Sequence, residues 1–134
     1  MIPEKIKLDI YTPERKVLQG EVSSVRVPGA AGYFGVFPGH TPFIAALQIG
    51  EIKVDADGTE TRYAASGGIA EVLPGSVSIM AEACELFDKI DVKRAERARD
   101  RAQERIASGR KTWDIDRAQA ALSRALNRLK IASR

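Results

Sequence analysis

At 134 residues, 29% charged and 44% apolar, with one Cys, one His and a net charge of +3, the chain has room for one domain, or one small domain with an appendage. It holds no run of about 20 apolar residues that could span a membrane; the lone Cys excludes a disulfide framework or a thiolate zinc site, and the lone His makes Ser-His-Asp or poly-His metal chemistry a poor expectation. The opening MIPEKIKLDI lacks a basic-then-apolar leader, so export by a signal peptide is not expected.

The first two thirds read as strands. In Lys5–Thr12, Ile6, Leu8 and Ile10 alternate with Lys7 and Asp9, the period of a half-buried strand. Glu21–Val27 carries Val22, Val25 and Val27 and is closed by Pro28-Gly29. The apolar runs Phe34–Phe37 and Phe43–Leu47 are separated by Pro38-Gly39-His40-Thr41-Pro42, a segment composed to turn. Glu51–Asp55 and Thr61–Ala65 flank Ala56-Asp57-Gly58, a hairpin signal because Asp-Gly accepts the positive φ of a primed turn. Gly67-Gly68, after Ser66, marks a place where two backbones approach closely. Ile69–Leu73 and Val77–Ala81 flank Pro74-Gly75, which suits a type I or II turn. About eight short strands at this spacing predict a small β-sandwich or barrel.

Near residue 88 the composition changes. Residues 1–88 hold 7 Lys+Arg against 12 Asp+Glu, a balance of −5, whereas residues 89–134 hold 14 against 6, a balance of +8. All six Pro and ten of the eleven Gly precede residue 76, and a segment without such punctuation reads as helix. Asp91 can cap a helix over Val92–Ala107, with Gly109 where a C-terminal glycine belongs, and Asp114 can cap Ile115–Ala132. The short link predicts an antiparallel hairpin. Its expected seam is Ala95, Ala98, Ala102 and Ile106 on the first helix. On the second helix it is Ala118, Leu122, Ala125, Leu129 and Ala132. A buried methyl contributes only about 0.8 kcal/mol, so this alanine seam predicts a weakly held, conditional hairpin. The fold class is therefore α+β: an N-terminal β-sandwich (1–88) followed by a C-terminal antiparallel two-helix hairpin (89–134).

Little in the chain suggests catalysis. His40 lacks a visible orienting partner, so a structural or contact role is expected of it. Cys84 is expected to be a small buried residue, and Trp113 either meets a partner or covers the hairpin end. No glycine-rich phosphate loop, carboxylate pair or metal spacing is present. The arginines say more. Arg94 and Arg101 share one helical face, as do Arg124 and Arg128, and an antiparallel hairpin can bring the four together. Such a cluster suits a nucleoside triphosphate or a nucleic acid, with Asp91 and Glu85 able to orient a ribose or base edge; the alternative is an ordinary solvated basic face.

The motifs as a set resemble the epsilon subunit of the F-type ATP synthase. They are Leu8-Asp9-Ile10-Tyr11-Thr12-Pro13, then Gly32-Tyr33-Phe34-Gly35-Val36-Phe37-Pro38-Gly39-His40-Thr41-Pro42-Phe43, then Ser66-Gly67-Gly68 with Ile69 and Glu71-Val72. Ile90-Asp91-Val92-Lys93-Arg94-Ala95 and Ala125-Leu126-Asn127-Arg128-Leu129 complete them.

The resemblance implies a non-catalytic central-stalk rotor subunit that couples proton flow to ATP synthesis performed elsewhere. It would bind the gamma subunit and the membrane c-ring, peripherally, on the cytoplasmic face of the cell membrane and without inserting into it. The hairpin would lie folded or extend toward the catalytic alpha and beta subunits and inhibit ATP hydrolysis. Some bacterial members bind ATP through I/L-D-x-x-R-A, which Ile90, Asp91, Arg94 and Ala95 match; Glu85, Arg101, Arg124 and Arg128 fall where such members carry nucleotide contacts. ATP is thus the implied regulatory ligand, and no other cofactor is implied. Tyr33, Gly39 and His40 fall on the loops implied to meet the partner, although Tyr33 stands where the family usually has an acidic residue. Nucleic-acid binding by the basic helices is disfavoured because no aromatics are interleaved with the arginines.

Overall fold

The computed structural model describes residues 4–133. Two compact units divide between Leu86 and Phe87, two residues ahead of the composition change. Residues Phe87–Lys89 form a single 3-10 turn that packs against the last helix and so belongs with the helices.

Alternation decides the first unit. Strand β1 (Ile6–Tyr11) buries Ile6, Leu8 and Ile10 and turns Lys7 and Asp9 outward. The stretch expected as one strand from Glu21 to Val27 is two, β2 (Lys16–Val22) and β3 (Ser24–Gly29). Val22 and Val25 are both buried although they stand three apart, which a single period-2 strand cannot arrange. The break at Ser23, whose N–H donates to the Asp55 carbonyl at 2.7 Å, lets the chain change neighbours: β2 pairs with β1, β3 with later strands.

Strands β4 (Gly32–Val36), β5 (Phe43–Leu47) and β6 (Gly50–Ala56) follow. Asp57 and Gly58, with φ of 53° and 82°, close the β6 hairpin as the Asp-Gly signal predicts. The two strands expected around Gly67-Gly68 are one, β7 (Thr59–Leu73). Both glycines have positive φ, 68° and 124°, so the strand turns its course without losing its partner. A Cβ on Gly68 would fall on the Met80 carbonyl oxygen, the close backbone approach anticipated there. Pro74-Gly75 joins β7 to β8 (Ser76–Leu86), and Gly75 has no positive φ, which leaves the type I turn of the two forms expected.

The strands run β2-β1-β8-β7-β5-β3-β4, with β6 bridging β3 and β7; β1 and β8 are parallel and the other pairs antiparallel. Inside lies one aliphatic core that includes Leu8, Ile10, Val25, Val27, Ile52, Val72 and Ile79. The fold class is the expected α+β, a β-sandwich followed by two helices.

The second unit is a helix pair, α1 (Val92–Ser108) packed on α2 (Ile115–Ala132). Asp91 caps α1 by accepting the Arg94 N–H at 3.0 Å, and Asp114 caps α2 by accepting the Arg117 N–H at 3.2 Å. Gly109 ends α1 with φ 85°. The seam is alanine at its centre: Ala95, Ala102, Ala118 and Ala125 are buried, while Ala98, Ile106, Leu122, Leu129 and Ala132 are half-buried. Among the described residues no helix is long and apolar enough to cross a membrane.

Candidate functional site

The Ile90–Ala95 motif sits at the start of α1, and each apolar or capping member has a structural duty there. Asp91 is the cap, Ile90 precedes it and is buried, and Ala95 four residues on is buried too. That is the spacing of a hydrophobic staple. Arg94 alone is exposed with no such duty for its side chain; only its backbone N–H is used. The motif's one side chain without a structural contact is thus the Arg94 guanidinium.

Of the four arginines expected to converge, Arg101 and Arg124 line one groove of about 440 Å³ between α1 and α2. They share it with Arg105 and Arg117, two arginines not singled out from the sequence, while Arg94 and Arg128 are not in its wall. Arg101 and Arg117 are exposed, and Arg105 and Arg124 half-buried. Trp113, 41% exposed, lines one end with the Arg105 guanidinium 4.5 Å from its ring centroid. Among the described residues no carboxylate is within ion-pairing distance of these four guanidinium groups. Four unpaired cations along one groove favour a polyanion there. Glu85 stands on β8 opposite Ala64, in the sandwich unit.

Tyr33, Gly39 and His40 hold their own loops. The Tyr33 ring lies 4.3 Å from the Arg26 guanidinium, and its hydroxyl accepts the Glu51 N–H at 2.9 Å. Beneath it Gly50 has no room for a Cβ, which would come within 2.6 Å of Pro28. An acidic side chain at position 33 would offer no ring for the Arg26 guanidinium to stack on. Gly39, at φ 83°, donates its N–H to the Pro74 carbonyl at 2.8 Å. His40 donates from Nδ1 to the Thr41 carbonyl at 2.9 Å, with its ring 5.2 Å from that of Phe43. No carboxylate orients it among these contacts, so it lacks the partner a general base uses.

A second surface was not anticipated. On the outer face of the sheet, Ala46, Ile69 and Met80 stand in one cross-strand row, with Ile44 in the next row beside Glu71. Ile44, Ile69 and Met80 are 69%, 55% and 66% exposed, and Leu73 follows on the same face. Contiguous exposed side chains of this size mark an interaction site.

Cys84 is buried, and burial pushes its thiol up to about 12, so it is a protonated packing residue. Among the described residues no three His, Cys, Asp or Glu side chains could hold a metal ion.

Residues 5–87 match the family of the ATP synthase delta/epsilon chain beta-sandwich domain, and residues 88–133 that of the delta/epsilon chain long alpha-helix domain. The ATP synthase epsilon chain of Syntrophobacter fumaroxidans is 49% identical over 131 residues, covering 98% of each chain. That of Moorella thermoacetica is 45% identical over 128 residues, 95% of this chain and 96% of the other. Among solved structures, a chain of the Euglena gracilis mitochondrial ATP synthase (OSCP, F1 and c-ring, rotational state 1) superposes with a TM-score of 0.86. It is 25% identical and matches 100% of this chain and 84% of its own.

Proposed function

This chain belongs to the ATP synthase delta/epsilon family, and from that membership we propose that it is a non-catalytic rotor subunit whose helical hairpin regulates ATP hydrolysis and binds ATP. Its sandwich docks on the gamma subunit and the membrane c-ring, and the subunit is peripheral to the membrane. The row Ala46-Ile69-Met80 with Ile44 supplies the docking face for gamma. The loops held by Tyr33, Gly39 and His40 supply contacts to the ring.

The observation that carries the regulatory part is the alanine seam of α1. Ala95, Ala98 and Ala102 bury little more than methyl groups, so the hairpin's closed state is held weakly and an added ligand can decide it. ATP is that ligand, held at the Asp91 end by Arg94, Arg101, Arg124 and Arg128. In support, I-D-x-x-R-A leaves the Arg94 guanidinium free of structural duty.

The test is deletion of residues 89–134. The sandwich has its own core, so it stays folded and assembled, and ATP hydrolysis by the complex rises. Unchanged hydrolysis would exclude an inhibitory hairpin. ATP binding is checked separately by calorimetry on the intact chain, where Arg94→Gln with Arg128→Gln weakens it.

A further inference from the structure

The two helices carry one pattern twice. D-x-x-R-A-x-x-A-x-x-R-A-x-x-R runs from Asp91 to Arg105 on α1 and again from Asp114 to Arg128 on α2, every position later by 23 residues (91 to 114). Both aspartates are caps, each accepting the N–H of the arginine three residues on. The alanine after each of those arginines, Ala95 or Ala118, is buried in the pair.

Exchanging two like helices in an antiparallel pair maps each position of one repeat onto its counterpart in the other. The set proposed for ATP takes Arg94 and Arg101 from α1 and Arg124 and Arg128 from α2, beside Asp91. Exchanging the helices turns it into Arg117 and Arg124 from α2 and Arg101 and Arg105 from α1, beside Asp114. Those five residues line the 440 Å³ groove.

We propose that this groove is a second anion site at the loop end of the hairpin, built to hold an oligophosphate group. The groove's own arginines carry this; the ATP reading of the Asp91 end supplies only the analogy. Arginine forks match phosphate oxygens two at a time. Four guanidinium groups without carboxylate partners repel one another across the seam until an anion separates them. Asp114 also lines the groove, but one of its oxygens accepts the Arg117 N–H. One face of the groove's aromatic ring, Trp113, is taken by the Arg105 guanidinium. The phosphate chain is the recognised part, whether free or carried by a nucleotide.

Inorganic tripolyphosphate is the probe, titrated calorimetrically into the full chain at about 0.15 M ionic strength so that diffuse attraction is screened. In an R94Q/R128Q background, which disables the Asp91 end, tripolyphosphate still binds, and adding R105Q/R117Q weakens it at least tenfold. Should the glutamine variant lose helix by circular dichroism, R105K/R117K is read instead; it keeps the charge, loses the forks and still weakens binding severalfold. Parallel titrations with ATP identify the source: ATP binding that R105Q/R117Q also weakens assigns a nucleotide-borne chain, and ATP binding it leaves within twofold assigns free oligophosphate. The site is overturned if tripolyphosphate fails to bind at millimolar concentration, if R94Q/R128Q alone abolishes it, or if R105Q/R117Q leaves it intact. Capture of polyglutamate without tripolyphosphate also overturns it. ATP binding untouched by R94Q/R128Q refutes the Asp91-end assignment alone.

Discussion

Replacing Ile44, Ile69 and Met80 together by Ser removes the apolar part of the outer sheet face without touching the core, since all three point away from it. At 69%, 55% and 66% exposure they offer a partner close to two whole side chains of unburied apolar surface. Complete burial of one such side chain contributes about 1.5–3 kcal/mol, so the face is worth roughly 3–6 kcal/mol when covered. With about 1.4 kcal/mol for each tenfold, the variant binds gamma some two to four orders of magnitude more weakly. Surface plasmon resonance on immobilised gamma measures the loss, and urea denaturation supplies the control: the isolated chain unfolds at its original midpoint. Binding within threefold of the original, with folding unchanged, would refute the assignment of this face. A shifted midpoint with unchanged binding would show instead that the three side chains serve the sandwich.

Other outcomes follow from single contacts. Gly68→Ala places a methyl on the Met80 carbonyl at φ 124° and is expected to cost roughly 2–5 kcal/mol in urea denaturation. Gly20→Ala, with open space around it and no positive φ, costs less than about 1 kcal/mol in the same assay. Asp114→Ala removes the α2 cap and lowers helix content with a loss of about 1 kcal/mol. Cys84, raised from 9.0 to about 12 chiefly by burial, holds about a thousandfold less thiolate at pH 8 than an ordinary thiol. Alkylation by iodoacetamide is accordingly slow until denaturant is added. The sign for stability follows: the folded state keeps the proton the unfolded state gives up, so this contribution is complete below pH 9 and is lost as pH rises toward 12.

Periodicity made β1, the Asp57-Gly58 hairpin and both helix caps legible, because each depends on residues adjacent in sequence. Strand β2 escaped because Lys16, Gln19, Gly20 and Glu21 are exposed and leave no alternating signal. Strand β7 was divided in two because Gly67-Gly68 reads as punctuation, and only the nearness of Met80 shows that the pair carries the strand past a crowded neighbour. The apolar face was hidden for a related reason. Ile44, Ile69 and Met80 alternate with buried residues, and apolar side chains on both faces of a strand do not say which face is covered. At the hairpin, seven-residue spacing joined Arg94 with Arg101 and four-residue spacing Arg124 with Arg128, but neither says which arginine of α2 stands opposite which of α1. Packing brings Arg117 and Arg105 to the groove instead.

The repeat gives that difference a physical sense. A hairpin with one basic anchoring end would need cations only beside the α1 cap, yet the pattern continues to Arg105 and Arg128 and spreads a balance of +8 over residues 89–134. Like charges along the seam oppose closure, and the alanines of α1 offset little of that repulsion. On the proposed reading closure depends on counter-charge, offered by the groove at the Trp113 end and by the site proposed at the Asp91 end, both of which would use Arg101 and Arg124. Because the shared pair cannot neutralise two anions as well as one, ligands at the two ends oppose each other through it. On the proposal that ATP binds the Asp91 end and an oligophosphate the Trp113 end, linkage makes the opposition mutual: each ligand would weaken the other by the same factor. With both proposed sites in place, the hairpin would respond to the ratio of two phosphate ligands, which the concentration of either one alone does not determine.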